Sequence, residues 1–103
     1  MEIFQITKTF PKEELFSLTS QIIGSSRSVC SNISEGYRKR QYEKHFRSKI
    51  SDADSENSET QLWLDFAYAC NYISEEKRND FQNKSEEVGK SLNYMMNNPD
   101  KFR

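Results

Sequence analysis

An all-α fold, with three substantial helices and a short helical stub packed as a bundle, is what the sequence predicts. Three observations carry that expectation. Only three Gly and two Pro occur in 103 residues, too few for the many turns of an all-β chain. Apolar residues recur at helical spacing over most of the length. The length fits one domain, residues 1–103, and hydrophobic residues at 34% against 30% charged leave it short of core material. Aromatics at 13% partly compensate, because each buried ring removes a large apolar area from water. No apolar run approaches ~18 residues and no signal-peptide apolar region opens the chain, which argues for a cytoplasmic protein with no membrane span.

The elements follow in order. Residues 2–8 read as a short helical piece ended by Pro11, whose preceding residue is driven out of helical geometry. Pro11-Lys12-Glu13-Glu14 resembles a helix first turn, with acids near the positive dipole end. A clear helix is predicted from Leu18 to Tyr37, with Ile22, Ser26, Val29 and Ile33 on one face. Small Ser25, Ser26 and Ser28 let another helix approach closely, and Gly36 is read as the C-terminal stop. Residues 41–73 are predicted as one long helix without Gly or Pro. Its core stripe is Tyr42, Phe46, Ile50, Ala53, Leu64 and Ala67, interrupted by Asn57 and Thr60. Ser74 is read as the cap of a last helix with Glu75 and Glu76 in its first turn. Phe81, Val88, Leu92 and Met95 would be its core residues, and Asn97-Asn98-Pro99 its end.

Within 62–73, every residue but Asp65 and Asn71 is apolar or aromatic. A helix that is apolar all round must be covered all round, and a chain this short lacks the partners to do so. Trp63, Tyr68 or Tyr72 is therefore expected to meet another subunit, making the protein a homo-oligomer or the scaffold for a protein partner.

Charge is unevenly laid out. The totals nearly cancel, with 15 Lys+Arg against 16 Asp+Glu. Yet residues 38–49 hold Arg38, Lys39, Arg40, Lys44, Arg47 and Lys49 against Glu43 alone, while residues 50–76 hold no Lys or Arg and seven acids. A basic block at a helix N-terminus works against the dipole by ~0.3–1 kcal/mol per cation, which invites a functional explanation. Phosphate contact is one, since Lys/Arg neutralisation dominates nucleic-acid affinity. Tyr37 and Tyr42 flank the block and suit stacking on a base or a guanidinium. An ionic contact between subunits, with this block facing Asp52–Glu59 of a neighbour, accounts for the same charges equally well.

Other chemistry finds little support. Cys30 and Cys70 lie far apart with one His in the chain, so they read as buried reduced thiols and not as zinc ligands. Asn32-Ile33-Ser34 and Asn83-Lys84-Ser85 match the glycosylation sequon by chance in a chain without a secretion signal. His45, Asp52, Glu56 and Glu59 share one helical face, but no second helix offers the Glu-x-x-His of a di-iron bundle. Asp52-Ala53-Asp54-Ser55-Glu56 lacks the glycine turn of a calcium loop. No nucleotide loop or serine elbow occurs. The expectation is a protein with no metal, no cofactor and no catalytic residues.

Two longer blocks bear a family resemblance. Phe10 to Ile22 is one, Phe16 included, and Ser31-Asn32-Ile33-Ser34-Glu35-Gly36-Tyr37-Arg38 is the other. With Glu59-Thr60-Gln61-Leu62 and Asn71-Tyr72-Ile73-Ser74, the chain resembles the family of 23S rRNA intervening-sequence (S23) proteins, Asn32, Glu35 and Gly36 carrying the most specific motif. The resemblance implies an antiparallel four-helix bundle assembled as a homopentamer. It also implies kinship with the accessory variability proteins of diversity-generating retroelements, which bind nucleic acid and a reverse transcriptase through a basic surface. Members of the family carry roughly 15–20 further residues at the start of the first helix, about four to five turns. Glu2–Lys8 is then its tail, and the first helix is truncated. Either the sequence starts short or neighbouring subunits cover the groove. The polar Arg47–Ser55 stretch also departs from the family's apolar, glycine-containing middle helix.

Overall fold

The computed structural model describes residues 2–15 and 17–103, leaving Phe16 of the N-terminal block outside them. Four helices run in chain order: α1 (Glu2–Thr7), α2 (Leu18–Arg38), α3 (Glu43–Ala69) and α4 (Glu75–Asn97). Short 3₁₀ turns follow α1 at Lys12–Glu14 and α4 at Pro99–Phe102. The fold is the expected all-α four-helix bundle with a short first helix, about 44 Å long and 24 × 18 Å across. Helix α3 is central and packs against both α2 and α4.

Local chemistry sets the boundaries. Ser74 caps α4 as expected, its Oγ accepting the Lys77 N–H at 3.1 Å. The long middle helix, expected over 41–73, is shorter at both ends. At its C-terminus Asn71 takes the left-handed conformation (φ 63°), tolerated by Asn because its short side chain bonds locally. The Tyr72 N–H then donates to Ala67 O and the Asn71 N–H to Tyr68 O, a Schellman motif that closes the helix. Tyr72 and Ile73 are thereby turned back onto the core. Residues 62–73 are not one helix apolar on every side.

Buried residues of α3 are Phe46, Ile50, Ala53, Asn57, Thr60, Leu64 and Ala67. Their spacing alternates between four and three, the heptad seam of a packed helix. Asn57 and Thr60 do not interrupt this seam; they belong to it. Asn57 Nδ2 donates to Ser85 O at 2.9 Å, Ser85 Oγ returns a bond to Asn57 Oδ1 at 2.8 Å, and Gln61 Nε2 donates to Ser85 Oγ at 2.8 Å. On the other side Thr60 Oγ1 donates to Ser25 Oγ at 2.8 Å. This polar layer is satisfied, as buried polar groups must be. It separates an apolar cluster around Phe10, Ile22, Leu64 and Phe81 from a second around Phe46, Ile50, Ala53 and Leu92.

Two expected core positions and one expected helix stop turn out otherwise. Gly36 is not a stop: α2 runs on to Arg38, and Gly36 is buried where α2 meets Ile50 of α3. Tyr42 precedes α3 and is 64% exposed, because its extended backbone lifts it off the helix. Val88 faces an open cleft of about 290 Å³ between α2 and α4, floored by Asn57, Thr60 and Leu64. Short α1 covers only one end of this cleft. There Lys84 Nζ donates to Glu2 Oε2 at 2.7 Å and pairs with Asp80 at 3.2 Å. Both cysteines are exposed, contrary to expectation, Cys30 lining the cleft and Cys70 ending α3.

Candidate nucleic-acid interface

The cations of residues 38–49 gather at one end of the bundle, but not as the N-terminus of a single helix. Arg38 closes α2 and Lys39 is its C-cap, whereas Lys44, Arg47 and Lys49 lie in α3. At the end of α2 the macrodipole favours cations, so half of the block costs the fold nothing. The α2 cations are further tied down locally. Arg38 pairs with Glu35 at 3.3 Å. Arg40 donates to Tyr37 O at 3.0 Å and lays its guanidinium 4.2 Å from the Tyr37 ring centre. Arg47 Nε donates to Met96 O at 3.0 Å, serving the end of α4, which leaves its carbonyls unpaired. Among the described residues, Lys39, Lys44 and Lys49 enter no ion pair.

Packing adds what the linear block lacks. The Pro99–Phe102 turn folds back on α3, where Phe102 stacks on Phe46 at 5.9 Å between ring centres. It brings Lys101 and Arg103 to the same end as Arg38–Lys49. Lys101 donates to the Tyr94 hydroxyl at 3.0 Å, and that bond raises the ammonium above its ordinary range. Eight Lys and Arg side chains thus share an end with Glu35, Glu43 and Asp100. No signal along the chain joins 101–103 to 38–49, so reading the sequence alone missed both cations. Tyr37 and Tyr42 are 52% and 64% exposed at this end.

Beyond the block, α3 turns acidic. Burial pushes the Glu56 carboxyl above its ordinary range, and the negative charges of Glu59 and Asp52 push the same way. A carboxyl raised in the folded state loses stability as pH climbs from its ordinary value through the raised one, since the unfolded chain releases that proton first. Asp52, Glu56 and Glu59 hold no cluster with His45: among the described residues no group of three or more His, Cys, Asp or Glu is placed to share a metal ion.

The residues expected at a subunit interface, Trp63, Tyr68 and Tyr72, are partly buried against the apolar cluster around Phe10, Ile22, Leu64 and Phe81 and keep part of their surface exposed. Tyr72 meets Phe10 at 5.5 Å and Tyr68 receives the Arg78 guanidinium at 4.7 Å. The more exposed apolar side chains of this region are Leu62 and Phe66, at 49% and 50%. Trp63 and Phe66 line a shallow hollow with Leu18, Gln21 and Cys70. The Trp63 indole N–H is buried there without a hydrogen-bond partner among the described residues. In the family motif, Asn32 donates to Ser28 O at 2.9 Å, Glu35 pairs with Arg38, and Gly36 provides the close approach to α3. No described helix is long and apolar enough to cross a membrane.

The sequence profile of the family described as 23S rRNA-intervening sequence protein matches residues 1–94. No curated protein and no solved structure matches the chain.

Proposed function

The chain belongs to the 23S rRNA-intervening sequence protein family, and from that premise we propose that it is a non-catalytic, oligomeric cytoplasmic bundle whose basic end binds the phosphate backbone of RNA. One observation carries the reading: the fold adds Lys101 and Arg103 to the Arg38–Lys49 block, concentrating positive charge in a chain whose net charge is −1. Such a patch attracts polyanions by releasing their counterions. If three to five phosphates are neutralised, RNA affinity falls about 20- to 100-fold between roughly 50 and 200 mM salt. Reversing Arg38, Lys39 and Arg40 to Glu abolishes binding, as read by fluorescence anisotropy. Absence of binding by the natural sequence even at low salt sinks this reading.

Assembly, a pentamer by analogy with the family, is the second part of the proposal. The exposed Leu62 and Phe66 beside the unpartnered Trp63 N–H favour a contact there. Phe66→Glu changes a half-exposed side chain and leaves the chain's own core intact. In sedimentation, the natural protein should run at several times its 12.2 kDa chain mass and the variant at less. An unchanged mass removes this face as the contact. Assembly through it without RNA binding at any salt favours the alternative, a scaffold for a protein partner.

A further inference from the structure

We propose that the nucleic acid held at the basic end is single-stranded, its bases stacking on Tyr37 and Tyr42 while Lys39 and Lys44 meet the flanking phosphates. The inference rests on the phosphate-binding reading and specifies its ligand.

Among the described residues, Tyr42 is the most exposed of the large apolar side chains, at 64%. It sits in the N-cap position of α3 with φ −111° and ψ 92°, yet its side chain makes no capping bond. A Ser, Thr, Asp or Asn there would cap α3 and stabilise it. The position therefore sacrifices a cap to place a ring in water. That ring lies at 85° to the His45 ring with centres 6.3 Å apart, so the two are not stacked face to face. Tyr37, five residues earlier at the end of α2, is 52% exposed. Arg40 stacks on one face of it at 4.2 Å, a cation–π contact that holds the ring in place and positive charge beside it.

Neither ring serves the interior. The core beneath this end is built from Phe46, Ile50, Ala53 and Leu92, with Phe102 stacked on Phe46. Two aromatic platforms set among cations offer something a phosphate backbone does not use. In a duplex the base faces are stacked on each other, and only edges and phosphates are presented. Unpaired bases present their faces, and each base–aromatic stack strengthens binding independently of sequence. Cations alone favour the duplex, whose phosphates are the more densely spaced. Cations interleaved with exposed rings favour the single strand.

The test compares two fluorescent RNAs by anisotropy at low salt: an oligouridylate of about 12 nucleotides and a fully paired duplex of equal length. The single strand is expected to bind at least about 10-fold more tightly, the effect of stacking one or two bases. Tyr42→Ala should weaken the single strand by about 5- to 100-fold and leave the duplex affinity unchanged. Tyr42→Phe, which keeps the ring, should restore it. Both positions are exposed, so folding is unaffected; circular dichroism of each variant verifies that. Equal affinity for the two RNAs, or an unchanged single-strand affinity in the Tyr37→Ala/Tyr42→Ala variant, overturns this proposal. The phosphate-binding reading survives that result provided Arg38, Lys39 and Arg40 reversal removes both RNAs. Failure of both RNAs to bind the natural protein overturns the two readings together.

Discussion

Phe46→Ala is expected to lower the midpoint of thermal unfolding by about 15–30 °C, the shift that a loss of ~3–5 kcal/mol produces in a domain of this size. The ring is completely buried, and it joins three elements: its own helix α3, Leu92 of α4 and Phe102 of the C-terminal 3₁₀ turn. Truncation leaves a cavity that its surroundings close only in part, so the cost exceeds simple transfer. It also frees the turn carrying Lys101 and Arg103 from the basic end. RNA affinity should therefore decline even at temperatures where the variant remains folded. Thermal melts followed by circular dichroism check the first outcome. A shift of only a few degrees would contradict the placement of Phe46 in the buried cluster with Ile50, Ala53 and Leu92.

Gly36→Leu is expected to destabilise by about 1–3 kcal/mol, the cost of overpacking a closed core. A Cβ at this position would lie 2.9 Å from Ile50 Cδ1 and 3.3 Å from Lys49 Cβ, closer than ordinary contact. The glycine is helical and carries no positive φ, so conformational freedom is not the reason for it. Space is. Elsewhere in an exposed helix, replacing Gly by Ala would gain about 1 kcal/mol; here Ile50 must yield first. Ile50→Val deletes the Cδ1 methyl that the new Cβ would meet. Gly36→Ala and Ile50→Val should therefore couple favourably, the double variant being more stable than the sum of the single effects. Strict additivity in chemical denaturation would show that the α2–α3 approach is looser than 2.9 Å implies.

Much of the architecture was legible in the chain because its signals are short-range. Pro11 ends the first segment, Ser74 caps α4, and Pro99 terminates it, each acting within a few residues. The exceptions are instructive. Asn71 closes α3 through a left-handed turn, a conformation any Asn tolerates but few adopt, so its presence in an apolar run carries little weight. Asn57 and Thr60 looked like breaks in a hydrophobic stripe, although they keep its spacing. Only their partners Ser85, Gln61 and Ser25 make their burial affordable. Gly36 was read as a stop because glycine more often ends a helix than lets one approach another.

The candidate site divides along the same line. Arg38, Lys39, Arg40, Lys44 and Arg47 are visible as a block in the sequence, as are the two flanking tyrosines. Which of them remain available was decided by their contacts: Arg38 pairs with Glu35 and Arg40 lies on Tyr37, each three residues away, while Arg47 serves the end of α4 through a tertiary contact. Periodicity and capping determined that the chain is helical and where most helices begin and end, since those forces act between residues one turn apart. Tertiary structure alone decided that Lys101 and Arg103 join the basic end, that Tyr42 stands in water and that α1 leaves a cleft open. Each of these depends on side chains far apart in the chain meeting, or failing to meet, and no local pattern encodes that distance.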